Sequence, residues 1–175
     1  ENITVDFPEY IKNSASSEIY PTWPENALRA NIYVIVSFAL NRIYTEWYRL
    51  KGYDFDITND TQFDQAFTYN GNIFENISVL ADELFNDYVV KGNSVEPYFT
   101  AFCNGTTSKC QGLSQWGTVP LAEQGLTPYE ILQHYYGKDI KIVNDTKKIF
   151  SLIKEKTPMK NMQLALKNRR VNLYL

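Results

Sequence analysis

The segment from Thr22 to Gly52 constrains this chain most. Thr22 followed by Glu25 has the spacing of a capping box, and Pro24 stands in the first turn of the helix that would follow. The run continues without a break signal to about Leu50 and stops at Gly52. Its middle, Ile32 to Leu40, is apolar nearly all round, so a helix there has no face to offer to water and must be enclosed. The expectation is a long buried central helix with the rest of the chain packed about it. With 175 residues, 44% of them hydrophobic, the chain can supply that shell as one globular domain without a metal or disulfide to hold it. The apolar run is far too short to span a membrane.

The flanking segments read as short elements. Residues 7–17 predict a helix opening at Pro8. Residues 53–72 are loop-like, with Phe55 and Ile57 alternating against Asp54 and Asp56 in one short strand. Residues 73–91 carry the clearest amphipathic stripe, Ile73, Ile77, Leu80, Leu84, Tyr88 and Val89 among its members, closed by Gly92. Residues 113–124 and 127–136 read as two short helices split by Gly125 and Pro128, and 139–143 alternate like a strand. The C-terminal part reads as a helix, Pro158, a second helix and a strand over 170–175. The fold class expected is α+β, predominantly α-helical, with a few short strands.

Charge divides the chain unevenly. Residues 144–175 carry eight Lys and Arg against Asp145 and Glu155, a net of +6, while residues 1–143 carry −9. This predicts an acidic body (1–143) and a basic C-terminal appendage (144–175) able to hold an anionic polymer, a second subunit or the body itself. The overall −3 argues against a nucleic-acid binder that works through phosphate contacts.

Few residues can carry chemistry. The one histidine, His134, would have to serve any Ser-His-Asp or Cys-His enzyme, and it reads as a surface residue. Cys103 and Cys110 are the only cysteines; a disulfide, free thiols and a zinc site are all open to them, zinc needing His134 or a carboxylate from elsewhere. Thirteen Tyr and three Trp suit either core packing or a surface that stacks on sugars, because these rings join an apolar face to a polar edge. Glu18 follows a helix end and is flanked by Ile19, Tyr20 and Trp23. Taken alone it reads first as a solvated loop glutamate; held among those rings instead, a carboxyl has its charged form disfavoured and can donate a proton near neutral pH, which cleavage of a glycosidic bond requires.

Three ordered blocks resemble the stage II sporulation protein D (SpoIID, or amidase-enhancer) family over about residues 5–143. The first is Glu18-Ile-Tyr-Pro-Thr-Trp-Pro-Glu-Asn-Ala-Leu-Arg-Ala-Asn31, the second Asp64-Gln65-Ala66-Phe67. The third comprises Gly112-Leu-Ser-Gln-Trp-Gly-Thr118, Leu121-Ala-Glu-Gln-Gly125, Tyr129-Glu-Ile-Leu132 and Tyr135-Tyr136-Gly137. The resemblance implies an extracytoplasmic peptidoglycan lytic transglycosylase with no cofactor. In that reading Glu18 protonates the oxygen between N-acetylmuramic acid and N-acetylglucosamine, then takes the proton of the muramyl C6 hydroxyl as a 1,6-anhydro ring closes. It implies Ser114 and Gln115, with Gln65, Trp23, Trp116, Tyr135 and Tyr136, as residues that bind the glycan.

The likeness has gaps. Where the family helix carries Gln and then Arg-Thr-Tyr, this chain has Asn31 and Val36-Ser37-Phe38. Cys103-Asn-Gly105 replaces the family's His-Ser stretch, Lys109-Cys110 stands where a His-Gly precedes the Ser-Gln block, and the long segment between those two places is missing. Some members bind zinc there through a His and two Cys. The competing expectation is a non-catalytic wall-binding module that stimulates an amidase or anchors an assembly. Asp54, Asp56 and Asp64 are the carboxylates a two-carboxylate hydrolase would draw on.

Overall fold

A computed structural model describes residues 1–144 and 169–175; the two helices expected either side of Pro158 lie outside these residues. α1 (Phe7–Glu18) opens with Pro8 in its first turn and buries Phe7, Tyr10, Ile11 and Ala15 along one face. Ile19 ends it in an extended conformation, its N–H closing on the Ala15 carbonyl at 3.0 Å. α2 (Glu25–Tyr44) is capped by Pro24, which has no side-chain acceptor to give. Thr22 lies two residues too early, so the expected capping box does not form. Glu46 then takes the left-handed conformation (φ 50°), and residues Arg49–Lys51 form a 3-10 turn ending at Gly52.

The expected architecture is therefore corrected. The described residues are mixed, 40% helix and 16% strand, with five α-helices and three small sheets, and no long central helix organises them. The first sheet has the order β1-β7-β2, from β1 (Asn2–Asp6), β2 (Ile57–Thr58) and β7 (Arg170–Tyr174). Val5 pairs with Val171 and Ile3 with Leu173 across the antiparallel β1/β7 ladder, and Ile57 meets Leu173 across the parallel one. The strand at the C-terminal end is thus the middle of a sheet, with Val171 and Leu173 fully buried.

The stripe over 73–91 also splits. α3 (Glu75–Leu84) covers its first part; the chain then turns through Asn86 and Asp87, and Tyr88–Lys91 form β3. Tyr88, Val89 and Val90 are aromatic or β-branched and find an antiparallel partner in β6 (Ile140–Val143), so pairing overrides the helical period. β4 (Phe102–Cys103) and β5 (Leu113–Ser114) make a small parallel pair. α4 (Thr118–Glu123) follows, and α5 (Pro128–Tyr136) opens on a complete capping box between Thr127 and Glu130.

The core is shared between two clusters. One joins α1, α2 and α3 to β7 through residues such as Tyr10, Ile35, Leu80 and Val171. The other packs Val34 of α2 against Val89, Leu113, Ile131 and Ile140. Polar residues on α2 are satisfied: Asn31 donates to the Ala27 carbonyl and Thr118 hydroxyl, and Ser37 accepts the Val89 N–H. No helix of the described residues is long and apolar enough to cross a membrane.

Candidate functional site

The polar edge of α1 clamps one loop. Ser14 donates to the Ala66 carbonyl at 2.6 Å, and Asn13 exchanges hydrogen bonds with both backbone groups of Thr68. Glu18, the last residue of α1, completes the row: its Oε1 accepts the Ala66 N–H at 2.5 Å. Its Oε2 accepts from the side-chain amide of Gln115 at 2.9 Å. Gln115 is held in turn, its backbone N–H on the Cys103 carbonyl and its own carbonyl on the Thr118 hydroxyl.

Glu18 and Gln115 stand in the wall of a cleft of about 490 Å³. Phe38, Phe63, Phe99 and Phe102 give the cleft an apolar side; Cys103, Asn104 and Ser108 give it a polar one. The polar side is a short loop tied twice. Cys103 and Cys110 are joined by a disulfide, and Asn104 Oδ1 accepts the N–H groups of Thr106, Thr107 and Ser108. Gly105 (φ 86°) lets this loop approach β5, for a Cβ there would meet the Ser114 hydroxyl at 1.8 Å.

Asp64 also borders the cleft, but its carboxylate is spent. It accepts four hydrogen bonds, from Arg42 Nε at 2.7 Å, the Tyr48 hydroxyl, and both the N–H and hydroxyl of Thr58. Its side chain is 0% exposed. Burial first, and then Asp64, pushes the Tyr48 hydroxyl up to about 12, so it stays a donor. Asp56 pairs with Arg49 and accepts from Asn172; Asp54 accepts from Asn2 at the surface. Glu18 is thus the carboxylate of the cleft whose partners are neutral amides.

Three rings adjoin Glu18 and Gln115 in the chain. Tyr20, Trp23 and Trp116 pack with centroids 4.8–5.7 Å apart. Tyr20 and Trp116 are exposed, and Trp23 is buried beneath them. The other residues singled out in the sequence sit elsewhere. Ser114 accepts the Gly117 N–H at 2.9 Å and faces the half-buried Tyr135 hydroxyl. Tyr136 is buried, donating to the Ala101 carbonyl, and burial raises its hydroxyl far above the ordinary value. Gln65 is fully buried, donating to the Tyr10 hydroxyl and Ile35 carbonyl; it is a core residue off the cleft. His134 is exposed. Among the described residues no three His, Cys, Asp or Glu side chains gather where a metal could be held, and the two cysteine sulfurs are bonded to each other.

Asn104, Ser108 and the four phenylalanines lie outside the motifs that mark the site in the sequence. The Asn-Gly-Thr-Thr-Ser run between two cysteines is the signal that marks the loop, since Asn and Gly at its start favour an Asx turn. No single segment announces the phenylalanine wall.

No family model matches the chain, and no solved structure matches it. An uncharacterized protein of Brachyspira hyodysenteriae is 28% identical over 112 residues, which cover 62% of this chain and 29% of that protein. The match therefore spans under a third of that relative's length.

Proposed function

We propose that this chain is a peptidoglycan lytic transglycosylase of the SpoIID kind, with Glu18 as its single acid and base. The observation that carries the reading is the placement of Glu18 and Gln115 together, in the wall of a cleft sized for part of a sugar chain. Protonated, Glu18 gives its proton to the glycosidic oxygen. The Ala66 N–H and the Gln115 amide stabilise the carboxylate that develops, being preset toward its two oxygens. That carboxylate then accepts the proton of the muramyl C6 hydroxyl as its oxygen bonds to C1, closing the 1,6-anhydro ring. No second protein carboxylate is needed, because the nucleophile belongs to the substrate. Exposed Tyr20 and Trp116 offer ring faces to sugars beside this centre. The disulfide fits an oxidising compartment outside the cytoplasm.

A second reading, a wall-binding module without catalysis, draws on the same hydrogen bonds. Both oxygens of Glu18 are engaged inside the protein, as in a tether between α1 and the Ala66 and Gln115 segments. One experiment separates the two. The protein is incubated with purified glycan strands freed of stem peptides, and 1,6-anhydro ends are sought by mass spectrometry. Release by the wild type and not by Glu18→Gln supports the enzyme. Glycan binding without release by either leaves the wall-binding role.

A further inference from the structure

A second hollow, of about 820 Å³, lies beyond the first, and Phe63 borders both. Its walls are aromatic. Phe55 stacks on Tyr174 with centroids 5.1 Å apart, Tyr53 lies 5.1 Å from Phe55, and Trp47 lines the same hollow. Phe55 is buried and anchors the group, whereas Trp47, Tyr53, Phe63 and Tyr174 are each 45–63% exposed. So many half-open rings around one concavity on a small protein mark a binding surface rather than core packing.

The charge in the hollow narrows the ligand. Lys51 Nζ sits 3.4 Å from the Trp47 ring centroid, and no carboxylate among the described residues pairs with it. Arg42, by contrast, is committed to Asp64, and Asp60 is turned to the Gln62 N–H. A cation poised on an aromatic face beside other open rings suits a ligand with flat apolar faces, hydroxyl edges and one negative charge.

We infer that this hollow is a distal saccharide subsite, continuous with the Glu18 cleft across Phe63, that takes a carboxylate-bearing sugar of the same glycan chain with its charge on Lys51. The inference rests on the reading of the cleft as a glycan site. A chain bound at Glu18 that crosses Phe63 gains a second stacking platform, so affinity grows with chain length. A neutral chain of the same length gains the rings but not the cation.

The test uses Glu18→Gln protein, which leaves the ligand intact, and calorimetry with glycan oligosaccharides freed of stem peptides, from disaccharide to octasaccharide. Chitin oligosaccharides serve as neutral probes. Affinity is expected to rise about tenfold, worth ~1.4 kcal/mol, once the chain is long enough to cross Phe63. Trp47→Ala or Tyr53→Ala should abolish that rise, and Trp47→Phe should keep it, which separates a lost ring from a misfolded protein. Lys51→Gln should bring the muramyl chains down to the affinity of chitin. A length dependence that survives both alanine substitutions overturns the subsite, and so does equal affinity of the unsubstituted hollow for chitin and muramyl chains. The proposed activity fails separately: wild-type protein that yields no anhydro ends while the Trp47-dependent rise persists is a binder, and its subsite stands.

Discussion

The Gln115 side-chain amide donates to Glu18 Oε2 across 97 residues of chain, tying the end of α1 to the turn after β5. This contact fixes the carboxylate on the side opposite the Ala66 N–H. Gln115→Leu keeps the size of the side chain and removes the donor. On stem-peptide-free glycan, kcat should fall by at least about tenfold with KM within about twofold, the split expected of a group that acts on the developing charge. An equal loss through KM would instead make Gln115 a substrate contact. Thermal melts check that the fold is intact.

Arg42 and Asp64 form an ion pair whose side chains are 7% and 0% exposed. The guanidinium also lies over Phe38 and Phe99, at 5.2 and 5.0 Å from their centroids, so little of it meets water. Asp64→Asn leaves that charge buried without its counter-charge. The expected cost is about 3 kcal/mol, read as a fall in denaturation midpoint with an unchanged slope against urea. Asp54→Asn, at a surface carboxylate, should shift stability by less than about 0.5 kcal/mol. Equal effects of the two would show that the Arg42 pair is not what holds the cleft floor.

The parts of this fold with local signals are legible in the sequence, and the rest depends on partners far along the chain. Pro8 and the apolar spacing of α1, and the alternation in β6 and β7, act within their own segments. The position of β7 between β1 and β2 does not, because nothing local says which edges Val171 and Leu173 will meet. Two Thr-x-x-Glu runs show how far a motif carries. Thr127 and Glu130 make a full capping box, yet Thr22 and Glu25 make none because the cap position falls on Pro24. β3 reads as helix since Tyr88 and Val89 also fit the stripe of α3; only its pairing with β6 decides. For the cleft, a likeness in three blocks singles out Glu18 and Gln115 one at a time. The wall of Phe38, Phe63, Phe99 and Phe102 comes from three segments and has no shared signal. Gln65 runs the other way: the motif match assigns it to the glycan site, and the fold buries it against Tyr10 and Ile35.

The disulfide between Cys103 and Cys110 closes a loop whose Asn104 and Ser108 stand in the cleft. Loop-closure entropy for so short a span puts its contribution near 2 kcal/mol, or roughly 4–8 °C in melting temperature for a chain of this size. Reduction, or Cys103→Ser with Cys110→Ser, should lower the melting temperature by that amount. It should weaken glycan binding more than the stability change alone accounts for, because the polar wall of the cleft loses its anchor. Calorimetry on folded protein at a temperature well below both melts checks this, and unaltered affinity there would limit the bond to a stabilising role.

Asp87 sits at the turn between α3 and β3, half-buried, and its Oδ1 has no hydrogen-bond partner among the described residues. Burial, and secondarily the nearby Glu83, raise its carboxyl from 3.8 to about 6. Arg29 is engaged with Glu83 and Glu25. The folded protein therefore keeps this proton up to about pH 6, while the unfolded chain gives it up near 3.8. Between those values the native state binds more protons, so the contribution of Asp87 to stability falls as pH rises through the window. Above it the penalty is complete; below the unfolded value it vanishes. Asp87→Asn mimics the protonated form at every pH. Relative to wild type at the same pH, it should stabilise by about 1 kcal/mol near neutrality, after allowance for partial solvent screening. That is roughly 2–4 °C in melting temperature. The gain should shrink through the window and be gone near pH 3.5. Melts across pH decide the point: a gain that does not change with pH would assign the effect to the amide's hydrogen bonding instead of the buried charge.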